Sequence, residues 1–225
     1  SLRFDDLTIK KASASTGLKK QEGSFTELAA DYGITLDKRN SPYMPTDGYI
    51  SKFSQALPIY ADAPFIQNTY SFSTYKAFSA DLIGAFKIYG SAINGLNDED
   101  VRLSKRINLS QNRIRGFEQG KIGPKDGEDF IGGNYAAAIN VETSLPNLLP
   151  EYTNTDINLF LDLGNSWGVD YDSTIDDTNK IRSTAGVSTN WNSPLGPMSF
   201  IFSQNISKAS TDIVETFNFR LGTRF

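Results

Sequence analysis

The sequence predicts an all-β chain: an antiparallel meander of about ten strands, of the transmembrane β-barrel type. Three observations carry that expectation. Apolar residues recur at every second position along most of the chain, several such segments reach about ten residues, and turn signals separate them. Ten residues suits a tilted membrane-spanning strand, whereas soluble strands average roughly 5–6.

Taken in order, the first strand is expected near 2–10 and the second over 27–36, where Leu28, Ala30, Tyr32, Ile34 and Leu36 share a face against Glu27, Asp31, Gly33 and Thr35. Strands follow near 48–57, 65–78 and 81–91. From 134 to 145, Tyr135, Ala137, Ile139, Val141 and Leu145 oppose Asn134, Ala136, Ala138, Asn140, Glu142 and Ser144. From 156 to 164, Ile157, Leu159, Leu161 and Leu163 oppose Asp156, Asn158, Phe160, Asp162 and Gly164. The last three strands are expected near 180–192, 197–206 and 214–225, and no capped helical segment competes. Turns are marked by Pro42, Pro45 with Asp47-Gly48, Pro146 with Pro150, and the run Ser193 to Pro197. Trp167 and Trp191 fall near strand ends, where aromatic girdles form at a membrane interface. Periodicity alone leaves open a large soluble sandwich.

One connection, from about Ala92 to Phe130, exceeds the roughly 12–15 residues that unstructured loops rarely pass. Its mixture of rigid and permissive residues, Arg115-Gly116-Phe117 and Gly120 to Pro124, predicts a folded loop.

Composition narrows the function. The net charge of −4 offers no basic surface for a nucleic-acid backbone. Mean hydropathy is −0.36 and no apolar run approaches a membrane helix, but a barrel whose strands alternate lipid-facing and lumen-facing residues averages out as hydrophilic. The absence of Cys and His removes thiol nucleophiles, Cys-based zinc sites and the commonest general base, so no enzyme and no cofactor is expected. The chain opens at Ser1 without Met, charged leader or cleavage site, as expected of a processed chain or a fragment.

Two local motifs fail. Only three residues separate Gly116 from Gly120, and no Ser or Thr follows Lys121, so the phosphate-loop pattern is not met. Asp170, Asp172, Asp176 and Asp177 lack the Gly and terminal Glu of a calcium loop and read as a solvated acidic loop, as does Asp98-Glu99-Asp100.

Three segments remain: Ile114-Arg115-Gly116-Phe117 in the long loop, Phe160-Leu161-Asp162-Leu163-Gly164 on a strand, and an alternating C-terminus ending in Phe225. In this order they resemble the BamA family of outer-membrane assembly factors, which carry a [V/I]RG[F/Y] loop motif, an F-x-D-x-G strand motif and an aromatic-terminated last strand. Pro45 to Gly48, Ile122 to Pro124, Gly132 to Asn134 and Ser193 to Pro197 are similar to the same barrel, from about Tyr32 to the end and least clearly over the first 25 residues.

The resemblance implies that 1–225 is the C-terminal part of a larger barrel of about sixteen strands, with POTRA domains lying outside this chain and the segment 1–24 the least certain. It implies a protein of the cell outer membrane that folds and inserts client β-barrels. The implied partners are those clients, outer-membrane lipid and periplasmic assembly lipoproteins. A transport pore, either a porin or a two-partner secretion or autotransporter-translocation relative, is the alternative.

Alternation puts Glu142 and Asp162 on the lumen side of adjacent strands, where Arg115 from an inward-folded loop could meet them in a partly wet pair, with Gly116 and Phe117 against the wall. In the last strand, Phe217, Phe219 and Leu221 should face lipid, Gly222 should leave a weak spot in the seam, and Phe225 is expected, by resemblance, to act as an assembly signal.

Overall fold

The structure, a computed structural model, describes residues 2–10, 14–19, 21–175, 180–193 and 196–222. The C-terminal Phe225, Asp176 and Asp177 lie outside them.

Ten long strands form one antiparallel sheet in chain order: β1 (Leu2–Leu7), β2 (Gly23–Asp37), β3 (Asp47–Ala61), β4 (Phe65–Ser79), β5 (Leu82–Gly95), then β8 (Tyr135–Leu145), β9 (Thr155–Trp167), β10 (Arg182–Ser193), β11 (Gly196–Ser207) and β12 (Phe217–Leu221). The two remaining strands, β6 (Lys125–Asp126) and β7 (Asp129–Phe130), make a small hairpin inside the connection between β5 and β8. The expected meander is therefore observed strand for strand, and the sheet is open, with β1 and β12 as its edges. A four-residue helix, α1 (Thr16–Lys19), was not foreseen. Among the described residues no helix is long and apolar enough to cross a membrane, which says nothing against crossing by strands.

Strand limits depart from expectation where the chain meets the long loop. Strand β5 continues to Gly95 and β8 starts at Tyr135, so the loop runs from 96 to 134 rather than from about 92 to 130. The last strand begins at Phe217, because Val214 pairs with Phe117 of the long loop rather than with β11.

Pairing registers explain the two faces. Asn140 sits opposite Asp162 and Lys87 opposite Asn140, so even positions of β8 and β9 share a face with odd positions of β5. That inner face is the one the loop covers. The outer face carries exposed apolar side chains along the sheet, among them Tyr32, Ile34, Phe86, Val141, Leu161, Val187, Phe202 and Phe219. So continuous an apolar surface would be untenable in water and is the normal dress of a lipid-facing wall.

The principal hydrophobic core lies between loop and wall. Val101, Ile107, Leu109, Ile114, Phe117 and Ile122 from the loop pack on Phe65, Ile93, Ala136 and Ala138 from the inner face. Small wall residues make room for large loop residues; Ala136 and Ala138 are both buried.

Connections 38–46, 80–81 and 146–154 lie at one end of the sheet; 62–64, 96–134, 208–216 and the described parts of 8–22 and 168–181 lie at the other, which carries the longest. A second small core, Ala14, Leu18 and Ile131 with Val169 and Tyr171 against them, joins three of the latter loops.

Candidate functional site: a loop clamped to the inner wall

The site is built around Arg115. Strand alternation aims Asp162 inward from β9, and Glu142 from the neighbouring β8, at the level where the loop crosses the wall. The guanidinium takes Asp162 in a fork, Nε to Oδ2 at 2.7 Å and Nη2 to Oδ1 at 2.6 Å, while Nη1 reaches Glu142 Oε1 at 2.7 Å. The Arg115 backbone N–H also donates to Asp162 Oδ2, at 3.0 Å. Fork geometry is what a planar guanidinium supplies and an ammonium does not.

Neighbours complete the arrangement. Asp162 is fully buried and also accepts from the Asn140 amide at 2.8 Å. Lys87 pairs with Glu142. The Arg115 guanidinium stacks on the Phe160 ring at 3.7 Å, and Thr184 Oγ1 donates to the Arg115 carbonyl at 2.9 Å. The partly wet pair expected from sequence is thus corrected to a buried one, because the aromatic ring and the loop itself shut water out.

Gly116 lets the loop approach this closely. Its φ is +84°, and a Cβ there would lie 2.9 Å from Thr184 Cγ2 and 3.0 Å from Ser203 Oγ. Phe117, 1% exposed, lies in the core, and its main chain bridges to Val214. Phe160 in turn fits because Gly186 opposite it has no side chain: a Cβ there would stand 2.6 Å from the ring. All five residues Arg115, Gly116, Phe117, Glu142 and Asp162 therefore meet in one place.

Two further clamps escaped the sequence reading. Arg182 on β10 holds Asp212 through Nε at 3.0 Å and Nη2 at 2.8 Å, with both side chains buried. Arg106 pairs with Asp170, which also accepts from the Val101 N–H and the Asn134 amide, each at 2.8 Å. Burial disfavours the charged form of Asp170, but those donors and the Arg106 charge outweigh it and hold its carboxyl below the usual carboxylate range. Asp170 is exposed, as a solvated acidic loop predicts, but three donors the sequence did not reveal converge on its carboxylate: the Val101 N–H, Arg106 and the Asn134 amide. Asp98, Glu99 and Asp100 are exposed, as expected.

The last strand joins the same network. The segment before β12 hydrogen-bonds to the loop, Glu118 N to Ile213 O at 3.0 Å, Ile213 N to Lys121 O at 3.1 Å and Glu215 N to Gly116 O at 3.0 Å. On the outer face, Phe217 and Phe219 stack on Phe202 and Phe200, with ring centroids 5.0 and 5.2 Å apart, and Leu221 is exposed beside them. Gly222 has a φ of +124° and open space where a Cβ would be.

With this geometry in view, similarity to known proteins is decisive. The Omp85 superfamily domain matches residues 2–225. The chain belongs to the Omp85 superfamily. Its sequence is 26% identical over 230 residues to the outer membrane protein assembly factor BamA of Neorickettsia risticii, covering all of this chain and 31% of that protein. It is 28% identical to the BamA of Neisseria meningitidis, over 96% of this chain and 31% of the relative, and 26% identical to a SAM50-like protein of Schizosaccharomyces pombe over 59% of this chain. Among solved structures, BamA from Haemophilus ducreyi lacking POTRA domains 1–3 superposes with a TM-score of 0.79 and 25% identity, covering 87% of this chain and 42% of that one. The Omp85 chain described here thus spans about a third of the length of the curated relatives it matches.

Proposed function

We propose that the protein is an outer-membrane β-barrel assembly factor, which folds and inserts client barrels at its sheet edge. The observation that carries this reading is the Ile114 to Phe117 loop clamped by Arg115 to Asp162 and Glu142, in a chain that the Omp85 superfamily domain matches from residue 2 to 225. The proposed activity makes and breaks no covalent bond. An edge strand such as β12 offers unpaired N–H and C=O groups to an incoming strand, and strand addition supplies affinity through main-chain hydrogen bonds.

The loop lock has a positional role in this proposal. It fixes the loop against β8 to β11 and, through Gly116 to Lys121, fixes the approach to β12. The proposed orientation follows from loop length: barrels of this class place short turns in the periplasm and longer loops outside. Connection 80–81 would then face periplasmic assembly lipoproteins, and the outer apolar face would meet lipid. Phe225 is proposed as an insertion signal on resemblance alone.

The test is reconstitution of the full-length protein in lipid vesicles with an unfolded client barrel. Accelerated appearance of heat-modifiable, protease-resistant client, relative to protein-free vesicles, supports the reading. Vesicles that conduct ions but give no acceleration would establish the transport-pore alternative instead.

A further inference from the structure

Below the clamp, the inner face holds a polar cavity of about 460 Å³, lined by Lys87, Arg113, Arg115, Arg220, Glu142 and several hydroxyl and amide side chains. Its charges do not balance. Lys87 is satisfied by Glu142, and Arg115 by Glu142 and by Asp162 behind it. Arg113 has no ion pair among the described residues; its guanidinium lies over the Tyr89 ring at 4.4 Å. Among the described residues Arg220 hydrogen-bonds only to neutral amides, Asn218 Oδ1 at 3.0 Å and Asn112 Oδ1, with Glu215 attracting it from beyond salt-bridge distance. Two guanidinium groups thus face one cavity with no carboxylate in direct contact with either.

A half-buried cation without a counter-charge is costly, and an anion in the cavity relieves the cost for both at once. The other lining groups suit an oxyanion: Ser110 and Ser188 offer hydroxyls, and Asn158 and Asn190 offer amide donors, the Asn190 oxygen being held by Ser199. Guanidinium groups match the oxygens of phosphate in bidentate geometry. The apolar outer face lies on the opposite side of the wall, so the anion would arrive from the aqueous lumen and not from a lipid headgroup.

We propose that this lumenal cavity is a binding site for a small soluble oxyanion of the phosphate class, held by Arg113 and Arg220. Inorganic phosphate is the probe. The full-length folded protein in detergent should melt about 2 °C or more higher in phosphate than in chloride of equal ionic strength, since a ligand of the native state alone stabilises by mass action. In calorimetric titration, Arg113→Gln and Arg220→Gln should each weaken phosphate binding about tenfold or more. Lys125→Gln, on the distant β6 hairpin, should leave it unchanged. Equal melting in phosphate and chloride overturns the proposal, and so does wild-type affinity in both arginine variants. Should either variant fail to fold, the wild-type comparison decides alone.

Discussion

Arg182 and Asp212 form a two-pronged ion pair with both side chains shut away from water, which ties β10 to the segment that leads into the last strand. Asn165 and the Lys180 carbonyl accept the remaining guanidinium donors. Removing one member of such a pair strands the other charge, at a cost of about 3–5 kcal/mol. Arg182→Ala should therefore destabilise the folded barrel by that order in urea unfolding. Arg182→Met with Asp212→Leu should recover most of the loss, and equal damage from the single and double variants would show that the charge is not what matters.

Arg115→Lys should behave as a poor substitute for arginine, because one ammonium cannot grip Asp162 with two parallel bonds while also reaching Glu142. Both Arg115→Ala and Arg115→Lys should expose the loop to trypsin at Lys121 in the folded barrel and slow client assembly, with synthesis unchanged. A loop as resistant in Arg115→Ala as in the wild type would refute the clamp.

Gly116→Ala places a methyl group 2.9 Å from Thr184 Cγ2 in a left-handed backbone conformation. The expected loss is about 1–3 kcal/mol. Thr184→Ser in the same chain removes the closest atom and should return part of it, the part that remains being the cost of the backbone angle together with the Ser203 contact.

The Asp170 clamp has a defined acid limit. Its folded carboxyl ionises below the ordinary value, so its contribution is complete above about pH 3.9 and fades as pH falls through the folded value. Protection of residues 96–134 against hydrogen exchange, taken relative to the intrinsic rate at each pH, should hold steady from pH 7 to 5 and fall at lower pH. Asp170→Asn should lower protection throughout and remove that part of the acid response.

Phe219→Arg should block insertion, since an outward-facing arginine costs about 2–4 kcal/mol at the membrane midplane. Asn218→Arg, on the inner face, should be tolerated far better, as judged by the heat-modifiable band. Equal insertion of the two variants would refute the assignment of faces.

Much of this was legible in the sequence, for reasons particular residues make plain. A period of two is imposed by backbone pleating, so Leu159, Leu161 and Leu163 against Phe160 and Asp162 reveal a strand and its faces without any tertiary knowledge. The five residues of the Arg115 lock could be paired because two lie on those strands and three adjoin in one motif. Arg182 and Asp212, 30 positions apart, carry no such sign: one begins a strand, the other sits in a loop, and only the antiparallel pairing of β10 with β11 brings them together. The partners of Asp170 were hidden for a related reason. Composition around it is acidic, and the donors to its exposed carboxylate come from Val101, Arg106 and Asn134, far away in the chain. The strand limit at Phe217 had a sign in the sequence, since Val214 is off-register with Phe217, Phe219 and Leu221, but its partner in the loop was hidden.

The bridge from Gly116 through Lys121 to Ile213 and Glu215 makes the loop a mechanical member of the wall. A tug on the loop would be felt first at the leading end of β12, whose described ladder with β11 spans five pairs from Phe217 to Leu221. The load path is therefore uneven: β8 to β11 are braced from within by the loop, whereas the contacts of the Ile34–Asp37 end of β2 and the Asp47–Phe53 end of β3 are with neighbouring strands and turns. Shape change in this wall should gather in the unbraced strands, leaving the braced ones to act as a rigid frame.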